Sequence, residues 1–212
     1  MIELKLKSRI KIPLVVDLDG TLTLTDTLYE SVIAFLKKNL FSNPFLIVLW
    51  LFQGKAKFKH EISKHIEIKH ELLPYNKKFL EWLKLQHSEG RALVLCTAAS
   101  SKIANHVADY LQIFDEVFSS SSTQNLSGKN KMLFLEERYG EDGFIYAGNS
   151  SGDLIVWGKA CESIIVNARR QVTNVLKKMV SSYIEFPRRK MRLVDFIRLL
   201  RLHQWSKNIL IF

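Results

Sequence analysis

Five short apolar runs constrain the fold more than any other feature of the chain. "IPLVV" (12–16), "ALVLC" (92–96), "EVFSS" (116–120), "FIYAG" (144–148) and "SIIVN" (163–167) have the length and character of buried parallel strands. Most are separated by stretches with helical spacing: "NKKFLEWLKLQHSEG", "SKIANHVADYLQ" and "GKNKMLFLEERYG". Strand and helix in alternation specify an α/β domain with a Rossmann-like parallel sheet. Asn76 is placed to cap the first of these helices, and Gly90 and Gly140 to stop the first and third.

The alternation fails once. Between the first and second strands the chain reads as helices: "TLYESVIAFLKKNL", "NPFLIVLWLFQG" and "KFKHEISKHIEI". A small helical module, residues 24–73, is therefore expected as an insertion in a core made of residues 1–23 and 74–168. Thr27 with Glu30 has the pattern of a capping box at its start. The run "PFLIVLWLF" falls well short of the roughly 20 apolar residues that span a bilayer. His60, His65 and His70 recur every five residues, which turns each away from the last on a helix and argues against a shared metal site.

Composition sets the remaining bounds. The N-terminal apolar run stops within a few residues at Asp17, so no secretory leader is read there. Cys96 and Cys161 have no framework spacing and are read as reduced, which places the protein in the cytoplasm. The net charge of +10 is concentrated in residues 169–212, where eleven Lys and Arg face two acids, Glu185 and Asp195. That segment carries two helical patterns, Val172 to Tyr183 and Leu193 to Leu200, and reads as a basic amphipathic tail. No zinc finger, RNP or helix-turn-helix signature accompanies the charge, so an anionic membrane surface is the expected partner and nucleic acid is not.

The chemistry lies at the carboxyl ends of the expected strands, where open α/β sheets bind ligands. "VVDLDGTLT" puts Asp17 and Asp19 there, with Gly20 allowing a tight turn and a close backbone approach. After the second strand come Thr97 and Ala98, a hydroxyl and a backbone N–H suited to an oxyanion. After the fourth come Asn149 and Asp153, oxygen donors for a hard cation. Lys129 and Lys131 open the preceding helix, and either can neutralise phosphate charge. An ionised carboxylate can attack phosphorus unaided, and a second acid two residues on can shuttle the proton.

The order DxDGT, a strand ending in Thr, a helical Lys and GNSxxD resembles the haloacid dehalogenase (HAD) superfamily, over roughly residues 12–167. Phosphoserine-phosphatase-like members fit best, with the helical module at the first (C1) cap position. The resemblance implies a phosphatase that uses Mg2+ and forms an aspartyl-phosphate. Asp17 would be the nucleophile and Asp19 the acid/base. Thr97 would bind phosphate alongside Gly20, Thr21 and Ala98, and Lys131, preferred over Lys129 for its spacing from Gly128, would neutralise charge. Asp153 would ligate the metal with Asp17, the Asp19 carbonyl and Asn149, which stands where many relatives have Asp. Asp26 falls where related phosphatases place a substrate-contacting acid, and equally where a helix cap belongs.

"LPYNKKFLEWL", "YAGNSSGDLIVW" and "LLRLHQWSKNILIF" further resemble HAD domains fused to the N-terminus of UbiA-type membrane prenyltransferases. That likeness implies a lipid-linked phosphosugar substrate, or a small phosphorylated molecule, handled at the inner face of the membrane. The alternative is a catalytically weak HAD domain serving as a regulatory or docking module of a membrane prenyltransferase.

Overall fold

In the computed structural model, which describes residues 12–38, 52, 71, 73–121 and 124–188, all five apolar runs are strands of one parallel sheet. They are β1 (Leu14–Val16), β2 (Leu93–Ser100), β3 (Glu116–Ser120), β4 (Ile145–Gly148) and β5 (Glu162–Val166). A sixth strand, β6 (Tyr183–Phe186), extends the order to β3-β2-β1-β4-β5-β6. The chain runs outward from β1 to β3, then returns to lay β4 on the other flank of β1. The sheet's topological switch point is therefore between β1 and β4, and that is where a doubly wound sheet opens a crevice.

Helices cover both faces because the strands are apolar on both. Leu14 and Val16 face one cluster with Leu93, Leu95, Phe79, Leu83 and Val107. Val15 faces the other, with Val94, Cys96, Leu135, Trp157 and Leu176. The first cluster is roofed by α2 (Lys77–Ser88) and α3 (Ser101–Leu111), the second by α4 (Lys129–Tyr139), α5 (Leu154–Trp157) and α6 (Arg170–Met179). Phe79 and Leu83 are fully buried four residues apart on α2, each stabilising the fold by roughly 1.5–3 kcal/mol. Asn76 caps α2 by accepting from the Phe79 N–H, and Gly140 ends α4 at a positive φ, both as expected.

The insertion begins with α1 (Thr27–Lys38). Its two ends leave and re-enter the core side by side. Thr23 bridges Tyr75 in antiparallel fashion, the Leu24 N–H donates to the Pro74 carbonyl, and the Asn76 N–H donates to the Leu22 carbonyl. The cap of α1 differs from the expected box: the Asp26 carboxylate accepts from the Leu28 N–H at 2.8 Å, one residue before Thr27. The other helical runs of the module and the three histidines lie outside the described residues.

The core also continues past residue 168. α6 packs Leu176 into the second cluster, and β6 pairs with β5 from Ser163↔Tyr183 to Val166↔Phe186. The helical spacing that linked Met179 to Tyr183 was followed one turn too far; Val180 ends the helix with an extended backbone. Phe186 then sets its ring edge-on to Phe79 and tilted against Trp82, with centroids 5.1 and 5.5 Å apart, which ties the edge strand to the first cluster. The rest of the basic segment, from residue 189, lies outside the described residues. Among those described, no helix is long and apolar enough to cross a membrane.

Candidate active site

Asp17 directly follows β1, the central strand, and is 8% exposed. Its backbone N–H donates to the Ala147 carbonyl of β4, which fixes it at the switch point. The chain then folds into a tight turn over Leu18–Leu22, broken at Gly20 with φ +77°. This turn brings the Thr21 hydroxyl to 3.4 Å from Asp17 Oδ2, a long contact. It also aims Asp19 toward the module, where Asp19 Oδ1 accepts from the Thr27 N–H at 2.7 Å, in the first turn of α1.

Of the two lysines, Lys131 reaches the site. It is 3% exposed, and its Nζ donates to Asp17 Oδ1 at 2.6 Å and to the Tyr146 hydroxyl at 3.1 Å. Lys129 points to solvent. The Tyr146 hydroxyl in turn donates to Asp153 Oδ1 at 2.6 Å. A continuous buried path, Asp17–Lys131–Tyr146–Asp153, thus runs beneath the crevice. Tyr146 is the residue that sequence reasoning missed. The signal was present, since a buried tyrosine hydroxyl in an otherwise apolar strand needs a polar partner.

Asp153 is engaged on both oxygens. Oδ2 accepts from the N–H groups of Asn149 and Ser150 at 3.2 and 2.9 Å, and from the Ser150 hydroxyl at 2.7 Å. With Tyr146 on Oδ1 the carboxylate has four donors, three of them on Oδ2, so Oδ1 retains accepting capacity for a cation. Asp153 therefore holds the loop after β4 in shape. Asn149, on that loop, packs against Gly20: a Cβ at position 20 would lie 2.0 Å from Asn149 Nδ2. Gly20→Ala should consequently meet both an unfavourable positive φ and a clash. A cost of about 2 kcal/mol is expected, read as a melting temperature lower by about 5 °C.

Thr97 is fully buried within β2, which runs on to Ser100 through an irregular register rather than ending at Cys96. Its hydroxyl oxygen accepts from the Ala99 N–H at 3.0 Å, which leaves the hydroxyl proton to be donated elsewhere. Ala98 follows it on the same strand end. Asp26 is exposed and spends Oδ1 on the α1 cap, so capping is the role its geometry displays.

The electrostatics are set by burial. Desolvation pushes the Asp17 carboxyl up to about 7, against the pull of Lys131 and with help from Asp153 and Asp19. Lys131 is held charged: the Asp17 and Asp153 charges outweigh its own desolvation and move its pKa upward. Burial likewise raises the Tyr146 hydroxyl well above its usual range, so it stays a neutral donor. The buried negative charge at Asp17 is thus short of positive compensation, and a cation beside it would relieve that deficit. Among the described residues no three acidic, His or Cys side chains gather around one point. The donors suited to a hard cation are the carboxylates of Asp17 and Asp153 and the neutral oxygens of Asn149 and the Asp19 backbone, a set that fits magnesium with part of its water shell retained.

A family model described as haloacid dehalogenase-like hydrolase matches residues 14–155. The uncharacterized protein y4nM of Sinorhizobium fredii is 34% identical over 207 residues, which is 95% of this chain and 39% of that protein. The chain thus spans well under half the length of that relative. Among solved structures, a protein of unknown function from Bordetella pertussis Tohama I superposes with a TM-score of 0.59 at 12% identity, covering 82% of this chain and 98% of that one. A substrate-bound phosphoserine phosphatase superposes at 0.55 with 15% identity, covering 89% of this chain and 98% of that one. At such identities the structural likeness concerns the fold.

Proposed function

The chain belongs to the haloacid dehalogenase-like hydrolases, and from that membership we propose that it is a magnesium-dependent phosphomonoesterase acting through an aspartyl-phosphate at Asp17. The observation that carries this reading is the buried Lys131–Asp17 pair at the end of the central strand, with Asp19 two residues on. Lys131 holds Oδ1, which leaves the weakly engaged Oδ2 to attack phosphorus. As the Asp17–phosphorus bond forms, the bond to the leaving oxygen breaks and Asp19 gives that oxygen its proton. Water then attacks the phosphorus, Asp19 takes the water's proton, and the Asp17 oxygen departs as carboxylate. Thr97, the Ala98 N–H and Lys131 neutralise the equatorial oxygens. Magnesium, when bound by Asp17, Asp153, Asn149 and the Asp19 carbonyl, would supply charge that lets anionic nucleophile and anionic phosphate approach.

With two carboxylates, and the neutral Asn149 in place of a third, the metal would be held weakly. Hydrolysis of p-nitrophenyl phosphate should therefore need free Mg2+ near the millimolar range (~1 mM) and vanish on chelation. Asn149 is also the observation that favours the rival reading, a catalytically weak domain that docks or regulates a membrane prenyltransferase. Persistent inactivity across a range of Mg2+ concentrations would decide for the rival, and activity surviving chelation would remove the metal from the mechanism.

The finer part of the proposal concerns place and substrate. We assign the enzyme to the inner face of the membrane, acting on a lipid-linked phosphosugar beside a UbiA-type prenyltransferase domain. Support comes from the cluster of Lys and Arg beyond residue 187 and from the partial coverage of the longer Sinorhizobium relative. Each basic residue near an anionic leaflet contributes about 1 kcal/mol. A chain ending at Arg188 retains all six strands. It should lose salt-sensitive flotation with anionic liposomes, and equal flotation of both forms would refute the anchoring.

A further inference from the structure

Two arginines of the segment first read as tail stand beside the site. Arg169 follows β5 at the N-cap position of α6, and Arg188 follows β6. Both strands are parallel to β1, so both arginines emerge at the same end of the sheet as Asp17. They line a cleft of about 470 Å³ that reaches from Gly20 and Asn149 to the face of α6. Val172 and Val175, one helical turn apart, give it an apolar wall. Its floor is fixed, since the Asn167 side-chain amide donates to the Gly20 carbonyl at 3.1 Å and ties the end of β5 to the nucleophile's turn. No ion pair to either arginine is found among the described residues, whereas Lys159 and Lys177 both pair with glutamates.

Resting on the phosphatase reading, we propose that this cleft is a leaving-group subsite for a second anionic group. The substrate class is then a phosphomonoester whose alcohol portion carries a further acidic group, separated from the scissile phosphate by an apolar spacer. The chemistry is complementary. Exposed guanidinium groups suit a dianionic phosphate or phosphonate, which they bind through paired N–H donors. The valines suit the spacer, and Asn149 and Gly20 mark the boundary with the reaction centre.

The test uses non-hydrolysable probes and the full chain. Hexylphosphonate and hexane-1,6-diylbisphosphonate differ in the second anionic group, and titration calorimetry compares their affinities with Mg2+ present. The bisphosphonate should bind wild type at least about tenfold tighter, the equivalent of two modest charge-assisted contacts. In Arg169→Gln/Arg188→Gln, with its melting temperature checked against wild type, the two affinities should converge. A wild type without the preference, or a double variant that keeps it, overturns the subsite. Hydrolysis of p-nitrophenyl phosphate by wild type reports separately on the phosphatase reading. That reading can thus fail while the preference stands, or hold while the preference is absent.

Discussion

Asp17→Asn is expected to lower phosphate release from p-nitrophenyl phosphate by at least about 10³-fold, a loss of some 4 kcal/mol of transition-state stabilisation. The amide is close in shape to the carboxylate but has no charge to attack phosphorus and cannot form the acyl phosphate. Because Asn preserves the side-chain volume and a carbonyl oxygen for Lys131, the fold should survive. Loss of activity can then be assigned to chemistry. The sharper readout is trapping: beryllium fluoride with Mg2+ should mimic the phosphoryl group on wild type and fail on the variant. Equal trapping in both would mean that the nucleophile lies elsewhere.

The second large effect is expected from Lys131→Met. Methionine matches the length of the lysine but removes the only cation found within hydrogen-bonding reach of Asp17 among the described residues. Truncating one partner of a buried pair leaves the other charge uncompensated, at a cost of about 3–5 kcal/mol. Asp17 can escape that cost by keeping its proton, which silences it as a nucleophile. Activity should fall by about 10²-fold or more for that reason and for the lost stabilisation of phosphate charge.

A pH dependence follows for the metal-free protein. A carboxyl with its folded pKa raised to about 7 from 3.8 binds its proton more tightly folded than unfolded. Stability therefore declines as pH rises from about 4 to about 7, and is constant above. Without Lys131 the carboxyl moves higher still, so the decline continues. The variant's deficit should be larger at pH 8.5 than at pH 6, readable in urea melts at the two pH values. A deficit independent of pH would show that the lysine matters by packing alone.

The parts of the site legible in the sequence are those carried by strand ends. Asp17 and Asn149 could be placed because an apolar run followed by polar residues marks where a parallel strand leaves the core, whereas Thr97 lies inside β2, which runs on to Ser100. The parallel order of five strands followed from their continuous apolar character for the same reason. Lys131 was a choice between two neighbours on a helix, and only the packing of α4 against β4 buries one and exposes the other. Asp153 is legible from its place after the fourth strand and from the GNSxxD pattern. Its four hydrogen bonds depend on the turn made by Asn149 and Ser150, which no spacing rule supplies. β6 escaped notice because "YIEF" is short, lies on the edge, and continues the helical phase of α6. Its identity as a strand comes from parallel pairing with β5, and the contacts of Phe186 with Phe79 and Trp82, a hundred residues earlier in the chain, hold it against the core.

The junction of the helical module has a bearing on how such a protein can diversify. Because the chain departs at Thr23 and returns at Tyr75 as paired neighbours, the strand order does not depend on the length of what lies between them, although Leu73 still packs in the core. Exchange of that stretch for another of any length leaves the strand order intact. One requirement travels with every graft: Asp19 is oriented by the Thr27 N–H, a group the graft itself brings. A replacement that starts with a loop would fold on the same platform but lack the N–H that Asp19 Oδ1 accepts from. Recombination at this junction is therefore permissive for architecture and exacting for catalysis, and a helix beginning at position 27 is the condition that couples the two.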